Sequence, residues 1–558
     1  MKLDLDQVLG TARAWLAQDP DPETRDELAE AIDAAVDGDG PAVRALAERF
    51  DGRLQFGTAG LRAELGWGPL RMNRVVVTQA AAGLARFLTD TGRSRSVVIG
   101  YDGRVNSDVF ARDTGEVMRG LGLEVTLLPS ALPTPVLAFA VRHLDVGAGV
   151  MVTASHNPPR DNGYKVYLGQ GDEGSQIVPP VDGLIADAIA AVAAGSIADL
   201  PRGTDYTVAS SALLDAYVAA TAATVPTPAL GVDAQPKVVY TAMHGVGWET
   251  ARAVFVAAGF AEPAVVPEQI HPDGAFPTVS FPNPEEPGAM DLSIARGVAV
   301  GADLVIANDP DADRLALAIP SVSDTGAPTY RRLSGNEVGW LLGWRAAVRA
   351  SEAGATGTLA ASIVSSPALA RVAARHGLEY RDTLTGFKWV SRVPELLFGY
   401  EEALGYLVDP SVVRDKDGIS AALALLSLAT DLTAAGSSVA DQLDAFAAEF
   451  GAFASGQVAT RVDELSRIGE IMASLRSAPP ASLGGLDVLA VTDYSEGVEG
   501  FPPSDILRYD LSGDARVIVR PSGTEPKVKV YIDTVADAPA EAQRLVDALA
   551  ASVRPLVS

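Results

Sequence analysis

The alternation of two kinds of segment along the chain is the feature that most constrains its fold. Apolar runs rich in β-branched residues, such as Val97–Tyr101 and Lys237–Thr241, alternate with amphipathic stretches rich in alanine and leucine. This alternation is typical of α/β proteins with mainly parallel sheets. From about residue 453 it gives way to a helical segment, Asp463–Arg476, and then to closely spaced strands, which favours a C-terminal α+β domain. The 558 residues exceed one hydrophobic core, so we expect about three to five domains.

A polar turn follows the apolar run Val146–Val152 and carries Ser155 and His156. The carboxyl end of a strand is where an open α/β sheet places ligands and reacting groups. The turn therefore indicates a reactive hydroxyl at Ser155. Asn157 and Pro158 are also ordinary turn-formers, so this motif alone leaves a plain loop as the alternative.

Three aspartates at alternate positions, Asp309, Asp311 and Asp313, follow a second apolar run, Ala302–Ala307. Their mutual repulsion is relieved when a hard cation lies among them, and oxygen ligands favour Mg²⁺ or Ca²⁺. An EF-hand loop needs Gly at its sixth position and Glu at its twelfth, whereas this loop has Arg and Pro there. A solvated acidic loop is the alternative. A short loop with three carboxylates leaves coordination positions open, as a catalytic Mg²⁺ requires.

A third motif, Arg520–Lys527, lies between two predicted strands, Ala515–Val519 and Val528–Ile532. It combines the hydroxyls of Ser522 and Thr524 with a glycine and with cationic side chains. These groups together are suited to holding a phosphate. A plain turn between strands would explain the glycine and the prolines but not the cations.

Taken together, the three motifs resemble those of the α-D-phosphohexomutase superfamily, which includes phosphoglucomutases and phosphomannomutases. The resemblance covers almost the whole chain, with the motifs in the family's order. It implies that Ser155 carries a phosphoryl group, that the three aspartates bind Mg²⁺ with Ser155, and that the Arg520–Lys527 loop binds the phosphate of a substrate. It also implies glucose 1,6-bisphosphate as intermediate and activator.

The resemblance further implies individual roles. Lys165, ten residues after Ser155, corresponds to the family's proposed acid–base lysine, with a solvated strand lysine as the alternative. The predicted catalytic residues are Ser155, Lys165, Arg62 and His156; the predicted metal ligands are Ser155, Asp309, Asp311 and Asp313; the predicted substrate contacts are Arg314, Lys388, Glu401, Glu402, Arg520, Ser522, Gly523, Thr524 and Lys529.

The segment Gly399–Tyr406 resembles the family's sugar-recognition loop, which commonly reads Gly-Glu-x-Ser-Gly. Leu404 occupies the serine position here, so one hydroxyl contact to the sugar is either missing or supplied by another residue. The Glu-Glu-Ala-Leu-Gly form resembles the branch that contains long phosphoglucomutases and phosphopentomutases. Four other segments resemble the same branch: Phe56–Arg62, Tyr101–Arg104, Thr385–Trp389 and Asp415–Gly418.

The same resemblance implies a fold of three similar α/β domains around a central cleft, with an α+β domain at the C-terminal end. The predicted divisions are an N-terminal helical extension at 1–50, a domain with the phosphoserine loop at 51–206, a domain with the metal loop at 207–323, a domain with the sugar-binding loop at 324–452, and a domain with the phosphate-binding loop at 453–558.

Composition excludes several classes of function. The chain has no cysteine, so neither disulfides nor thiol chemistry contribute. A formal net charge of −27 disfavours a nucleic-acid partner. The first residues lack the pattern of a signal peptide, and no apolar run approaches the roughly 18 residues of a membrane span. We expect a cytoplasmic protein whose partners are small sugar phosphates, without nucleic acid or membrane; the sequence predicts no oligomeric state.

The function that best fits these expectations is a phosphosugar mutase. It would interconvert glucose 1-phosphate and glucose 6-phosphate through a phosphoserine and a 1,6-bisphosphate. Phosphomannomutase and phosphopentomutase activities are alternatives within the same chemistry. A non-catalytic phosphosugar-binding regulator and a metal-dependent phosphatase are alternatives of other classes. A Ser-His-Asp hydrolase is disfavoured, because no Gly-x-Ser-x-Gly elbow surrounds Ser155.

Overall fold

Strands and helices alternate through most of the chain, as the sequence predicts. The computed structural model describes residues 5–323, 325–462, 464–522 and 527–557. The chain forms two units, each built from two segments: Met1–Arg332 with Gly405–Asp431, and Leu333–Leu404 with Leu432–Ser558.

The first unit begins with three helices and continues into a mixed sheet. Its strand order is β1-β5-β4-β2-β3-β7, and β6 pairs with β5. The pairs β2–β4 and β2–β3 are parallel, whereas β5 is antiparallel to both β1 and β4. The elements are α1 (Leu5–Leu16), α2 (Pro22–Val36), α3 (Gly40–Phe50), β1 (Leu61–Glu64), α4 (Arg74–Asp90), β2 (Ser96–Tyr101), α5 (Ser107–Gly120), β3 (Glu124–Leu127), α6 (Thr134–His143), β4 (Ala148–Val152), β5 (Asp161–Leu168), β6 (Ser175–Gln176), α7 (Val181–Ala193), β7 (Thr207–Val208) and α8 (Ser211–Ala222).

A second sheet of the same unit has the strand order β12-β11-β10-β8-β9. Its β8, β9 and β10 run parallel, and β11 and β12 continue it as antiparallel strands. The elements are β8 (Val238–Thr241), α9 (Gly247–Ala257), β9 (Ala264–Val265), α10 (Asp291–Val300), β10 (Leu304–Asn308), β11 (Leu315–Val322) and β12 (Pro328–Arg332).

The next stretch of chain contributes to both units. In the second unit, β13 pairs in parallel with β14 on one side and with β15 on the other. Strand β16 and the start of α14 return to the first unit. The elements are α11 (Gly335–Glu352), β13 (Thr358–Ser362), α12 (Ala368–His376), β14 (Glu379–Thr383), α13 (Phe387–Val390), β15 (Leu396–Glu401), β16 (Gly405–Leu407), α14 (Gly418–Ala434) and α15 (Val439–Phe450).

The last sheet is antiparallel throughout, in the order β17-β22-β21-β20-β19-β18. Its strands β18 to β22 each pair with the next strand along the chain, whereas α16 links β17 at one edge to β18 at the other. This combination of an antiparallel sheet with helices is the α+β arrangement predicted from residue 453 onward. The elements are β17 (Ala452–Arg461), α16 (Leu465–Ser477), β18 (Ser482–Leu483), β19 (Leu486–Asp493), β20 (Leu507–Leu511), β21 (Arg516–Pro521), β22 (Lys527–Ala536) and α17 (Pro539–Val553).

Local chemistry accounts for the positions of the main helices. Asn73 caps α4 by accepting a hydrogen bond from the Val76 amide at 3.0 Å, and Ser334 and Glu337 form a reciprocal capping box at the start of α11. Helix α4 is buried on nearly all sides, because α5 and α7 pack against it. The strand ends that follow these helices are therefore held on a rigid core.

The predicted fold class of three α/β domains and a C-terminal α+β domain is confirmed. The four domain boundaries stay predictions. Within the described ranges, no single helix is long and apolar enough to cross a membrane, although the bent pair α14 and α15 meets the length and composition criteria when taken together.

Candidate active site

Ser155 lies in the turn after β4 and is buried, with 3% of its surface exposed. Its backbone is left-handed, with φ of 51°, a conformation that non-glycine residues adopt mainly where the surroundings enforce it. The Ser155 amide donates to Thr153 Oγ1 at 2.8 Å, and that hydroxyl donates to Asp102 Oδ2 at 2.6 Å. The serine is thus held rigidly at the carboxyl end of its strand.

The side chain of Arg104 braces the same turn. Its Nη2 donates to the carbonyl oxygens of Ser155 and Asn157, both at 2.6 Å. Its Nη1 donates to the carbonyl oxygens of Pro158 and Asp161, at 2.9 and 3.1 Å. A single buried guanidinium therefore gathers four carbonyl groups and fixes the course of the loop around Ser155.

The three aspartates follow β10 and are buried without measurable exposure. One carboxylate oxygen from each of Asp309, Asp311 and Asp313 lies within 4.8 Å of the other two. Ser155 Oγ donates to Asp309 Oδ2 at 3.0 Å. The structure therefore brings together two motifs that lie 154 residues apart in the sequence.

The electrostatics of this cluster fit a bound cation. Burial, together with repulsion from Asp311 and Asp313, raises the pKa of Asp309 well above its ordinary value. Asp311 Oδ1 and Asp313 Oδ1 are buried and accept no hydrogen bond from any described residue. Buried oxygens of this kind are costly unless something coordinates them. The cluster is thus able to hold a metal ion, and its all-oxygen donor set suits a hard divalent cation.

Two lysines partly neutralise the cluster. Lys165, on β5, places its Nζ 2.7 Å from Asp311 and 2.9 Å from Asp313. Burial opposes the charge of Lys165, but these two carboxylates raise its pKa above the ordinary value. Lys416 adds a second ammonium 3.2 Å from Asp313 Oδ2. Burial opposes the ionised form of Asp313, yet Lys165 and Lys416 lower its pKa.

Three further predicted residues surround the serine. His156 Nδ1 lies 3.1 Å from Ser155 Oγ, and burial, reinforced by the charges of Arg314 and Arg62, lowers its pKa well below the ordinary value. Arg62, on β1, donates to Asn157 Oδ1 at 3.1 Å. The Arg314 amide donates to Asp309 Oδ1 at 2.9 Å. These effects favour the neutral imidazole, which lies among positive charges suited to an anionic group.

In the second unit, the acidic residues at the end of β15 are held by neighbouring polar groups. Glu401 Oε1 accepts a hydrogen bond from the Gly386 amide at 2.7 Å. Glu402 Oε2 accepts from the hydroxyls of Ser362 and Ser365, at 3.1 and 3.0 Å. Leu404 is buried with φ of 64°. Serine hydroxyls therefore contact Glu402, but they come from residues 362–365 and not from position 404, where the common motif has its serine.

The remaining predicted substrate contacts lie in the same unit. Lys388 is on the short helix α13, which begins directly after Gly386. Arg520 and Lys529 are opposite each other on β21 and β22, and the Ser522 amide donates to the Lys527 carbonyl at 2.8 Å. Arg520 Nε is buried and donates to no described group. Gly523 and Thr524 lie outside the described residues.

Family models match the chain in four successive regions. They describe the phosphoglucomutase/phosphomannomutase alpha/beta/alpha domain I at residues 53–194, domain II at 215–321, domain III at 334–450, and the C-terminal domain at 470–552. These regions cover well over half of the chain.

The chain belongs to the phosphoglucomutase/phosphomannomutase family. It is therefore an enzyme, an intramolecular phosphotransferase of carbohydrate metabolism, and the predicted superfamily is confirmed.

Three relatives of this family member carry different substrate names. It is 51% identical to a "Probable phosphomannomutase" of Haemophilus influenzae, over 87% of this chain and 98% of the relative. It is 34% identical to the "Phosphopentomutase" of Mus musculus, over 94% of this chain and 89% of the relative. It is 31% identical to the "Phosphoglucomutase" of Staphylococcus saprophyticus, over 86% of this chain and 90% of the relative. The three names agree on a mutase and differ in the sugar phosphate.

Several residues of this mutase that shape the candidate site were assigned no role from the sequence. Arg104 and Lys416 lie in segments that resemble the long branch of the family, but their contacts depend on how distant parts of the chain meet. Thr134, at the start of α6, donates its hydroxyl to Asp311 Oδ2 at 2.7 Å. Ser362 and Ser365 lie in a run of small residues without a distinctive pattern. For Thr134, the only signal was its position at a helix start.

Proposed function

We propose that this enzyme interconverts glucose 1-phosphate and glucose 6-phosphate through a phosphoryl group carried on Ser155. The observation that carries the proposal is the position of the Ser155 hydroxyl, 3.0 Å from Asp309 within a buried cluster of three carboxylates. A rigid hydroxyl beside a cation-binding cluster supports covalent phosphoryl transfer.

In the first half-reaction, the free hydroxyl of the sugar phosphate attacks the phosphorus on Ser155. The bond from Ser155 Oγ to phosphorus breaks, the sugar oxygen gains the phosphoryl group, and the hydroxyl proton passes to a nearby base. The product is glucose 1,6-bisphosphate, which also serves as activator because it phosphorylates an unmodified serine. After the bisphosphate reorients, Ser155 Oγ attacks its other phosphorus. The bond from that phosphorus to the sugar oxygen breaks, the base returns its proton to this oxygen, and the isomer is released. Phosphate is therefore conserved.

The residues around Ser155 suggest how charge and protons are handled. Mg²⁺ held by Asp309, Asp311, Asp313 and Ser155 would neutralise charge on the transferring group. We assign proton transfer to Lys165. Arg62 and Arg314 would stabilise negative charge, and His156 would hydrogen-bond to the phosphoryl group.

We assign substrate recognition to Arg314 and to two further sets of residues. Glu401 and Glu402 would accept hydrogen bonds from sugar hydroxyls. The non-reacting phosphate would be bound by a basic, hydroxyl-rich set: Lys388, Arg520, Ser522, Gly523, Thr524 and Lys529. The buried Arg520 Nε supports this assignment, because an arginine donor without a partner is ready to bind phosphate oxygen.

Mannose and pentose phosphates are the alternative substrates, since similar relatives bear those names. Initial rates with glucose 1-phosphate, mannose 1-phosphate and ribose 1-phosphate, each primed with its bisphosphate, separate the three. A higher kcat/KM for mannose or ribose phosphate would replace glucose in the proposal. The cytoplasmic location stays a prediction.

The serine assignment is tested by Ser155→Gly, because glycine tolerates the left-handed backbone at this position. Turnover should fall by at least about 10³, as expected when a covalent nucleophile is lost. Intact mass spectrometry after incubation with glucose 1,6-bisphosphate should show one phosphoryl group on the wild type and on Ser351→Ala, an exposed serine control, but none on Ser155→Gly.

Near-normal turnover by Ser155→Gly would refute the proposal. Release of inorganic phosphate in place of isomer would indicate a phosphatase, and lack of both would indicate a binding regulator.

A further inference from the structure

A buried ion pair joins the two central strands of the last sheet. Arg516, on β21, donates through Nε to Asp533 Oδ2 on β22 at 2.9 Å, and both side chains are at most 4% exposed. Burial opposes the charge of Arg516, but Asp533 and Asp382 raise its pKa above the ordinary value. Buried ion pairs contribute little net stability, so the further contacts of this pair deserve an explanation.

One set of contacts leads from Arg516 to Glu402. Arg516 Nη2 donates to the Ser365 carbonyl oxygen. The Ser365 hydroxyl donates to Glu402 Oε2 at 3.0 Å and accepts from the Glu402 amide at 3.0 Å. One residue, Ser365, therefore connects the guanidinium to both the carboxylate and the backbone of Glu402.

A second set of contacts leads from Asp533 to the strand that precedes Glu402. Asp533 Oδ1 accepts from the Ser455 hydroxyl at 2.6 Å, and Ser455 accepts from Asn336 Nδ2 at 2.9 Å. Asn336 Oδ1 accepts from the Tyr400 hydroxyl at 3.1 Å. The ion pair thus reaches the acidic end of β15 along two independent paths.

The same strand carries a proposed phosphate contact. Arg516 and Arg520 are four residues apart on β21 and so lie on the same face of the sheet. We infer that Arg516 is a positioning residue that fixes the Glu402 carboxylate relative to the strand bearing Arg520. This inference rests on the proposed function, in which Glu402 contacts the sugar and Arg520 contacts the phosphate.

A pair of adjacent serines tests the path to Glu402. Ser365→Ala removes the hydroxyl that contacts Glu402, and Ser366→Ala removes an equally buried hydroxyl that accepts from the Ala368 amide instead. Ser365→Ala should lower kcat/KM about 10-fold, mainly through KM, because a misplaced Glu402 binds the sugar less tightly. Ser366→Ala should keep the wild-type KM. Equal KM values for the two variants would overturn the inference.

The ion pair is tested with a neutral double replacement, Arg516→Gln with Asp533→Asn, which leaves no buried charge unpaired. A thermal melt establishes that it folds, and Arg476→Gln with Asp493→Asn is the control, since that pair lies in the same domain at 3.0 Å. The first double variant should raise KM, whereas the control should keep the wild-type KM. Glu402→Gln should lower kcat/KM far less when added to the first double variant than when introduced into the wild type. If the effects of the double replacement and of Glu402→Gln on kcat/KM are additive, the positioning role of Arg516 is overturned, whereas the proposed function is unaffected. If Glu402→Gln does not change turnover by itself, the proposed sugar contact fails as well.

Discussion

At the residue scale, the chain shows which roles a side chain's identity reveals. Ser155 and the three aspartates stand out in the sequence because their types and spacing have few other uses. Arg104 does not stand out, because its partners are backbone carbonyls, and carbonyls are the same in every sequence. Sequence reasoning thus predicts the candidate reacting groups, but not the groups that hold them in place.

Arg104→Met should destabilise the protein by about 3–5 kcal/mol, because it removes the buried partner of Asp102, 3.5 Å away, and the donor to four carbonyl groups that are buried or partly buried. Arg112→Met, which breaks an exposed pair with Asp108, should cost at most about 0.5 kcal/mol. Urea denaturation followed by circular dichroism measures both. Similar losses in the two variants would contradict the bracing role.

Arg520→Ala should raise KM and also lower kcat, because binding energy at the remote phosphate helps to orient the reacting hydroxyl. We expect a combined loss of at least about 10² in kcat/KM, the scale of a lost charged hydrogen-bonding group. Arg508→Ala on the adjacent strand β20, whose guanidinium already pairs with Asp510 at 2.8 Å, is the control. Steady-state kinetics that leave Arg520→Ala indistinguishable from Arg508→Ala would remove Arg520 from the substrate site.

At the element scale, the sequence predicted strands better than their surroundings. The runs before Ser155 and Asp309 are indeed β4 and β10, because a short apolar run that ends at turn-forming residues is the length of a buried strand and too short for a typical helix. The sheets are less parallel than expected, since antiparallel strands such as β1, β5, β11 and β12 extend the parallel cores. Hairpin partners depend on chain direction after a turn, which hydrophobic periodicity does not encode.

Helix packing gives a prediction with opposite signs at two glycines. A Cβ added to Gly83, in α4, would lie 2.7 Å from the Ile189 backbone of α7, whereas one added to Gly10, in α1, would meet no atom within 4 Å. Gly83→Ala should therefore destabilise by about 1–3 kcal/mol through overpacking. Gly10→Ala should stabilise by about 0.5–1 kcal/mol through helix propensity. Thermal melts of the two variants test this, and a shift of the same sign in both would contradict it.

At the scale of the whole molecule, the chain has a formal net charge of −27, yet positively charged side chains cluster around the three aspartates. Lys165, Lys416 and Arg314 all lie within 4.0 Å of Asp313. Under the proposed function, negative charge on the substrate would be met by these nearby ammonium and guanidinium groups, whose effect exceeds that of distant, screened carboxylates.

Metal removal should abolish turnover and lower the melting temperature, because an ion that binds only the folded state stabilises it, by about 2.7 kcal/mol at a hundred times its Kd. Mg²⁺ should restore both, whereas Ca²⁺ should restore stability with little activity. The raised pKa of Asp309 means that its ionisation costs stability at neutral pH. Asp309→Asn should therefore be more stable than the ion-free wild type, yet insensitive to Mg²⁺. A melting temperature of the wild type that ignores Mg²⁺ would refute the metal assignment.

A ribosome delivers this chain from the N-terminus, and that order matters because each unit is built from two separate segments. The aspartate loop emerges early, but Lys416 follows only after residues 333–404 have been synthesised. Before residues 405–431 have been synthesised, the nascent first unit lacks β16, the start of α14 and one of the ammonium groups beside Asp313. Incomplete apolar surfaces of this kind invite aggregation. We therefore expect the nascent chain to be prone to aggregation between the synthesis of Arg332 and that of Asp431.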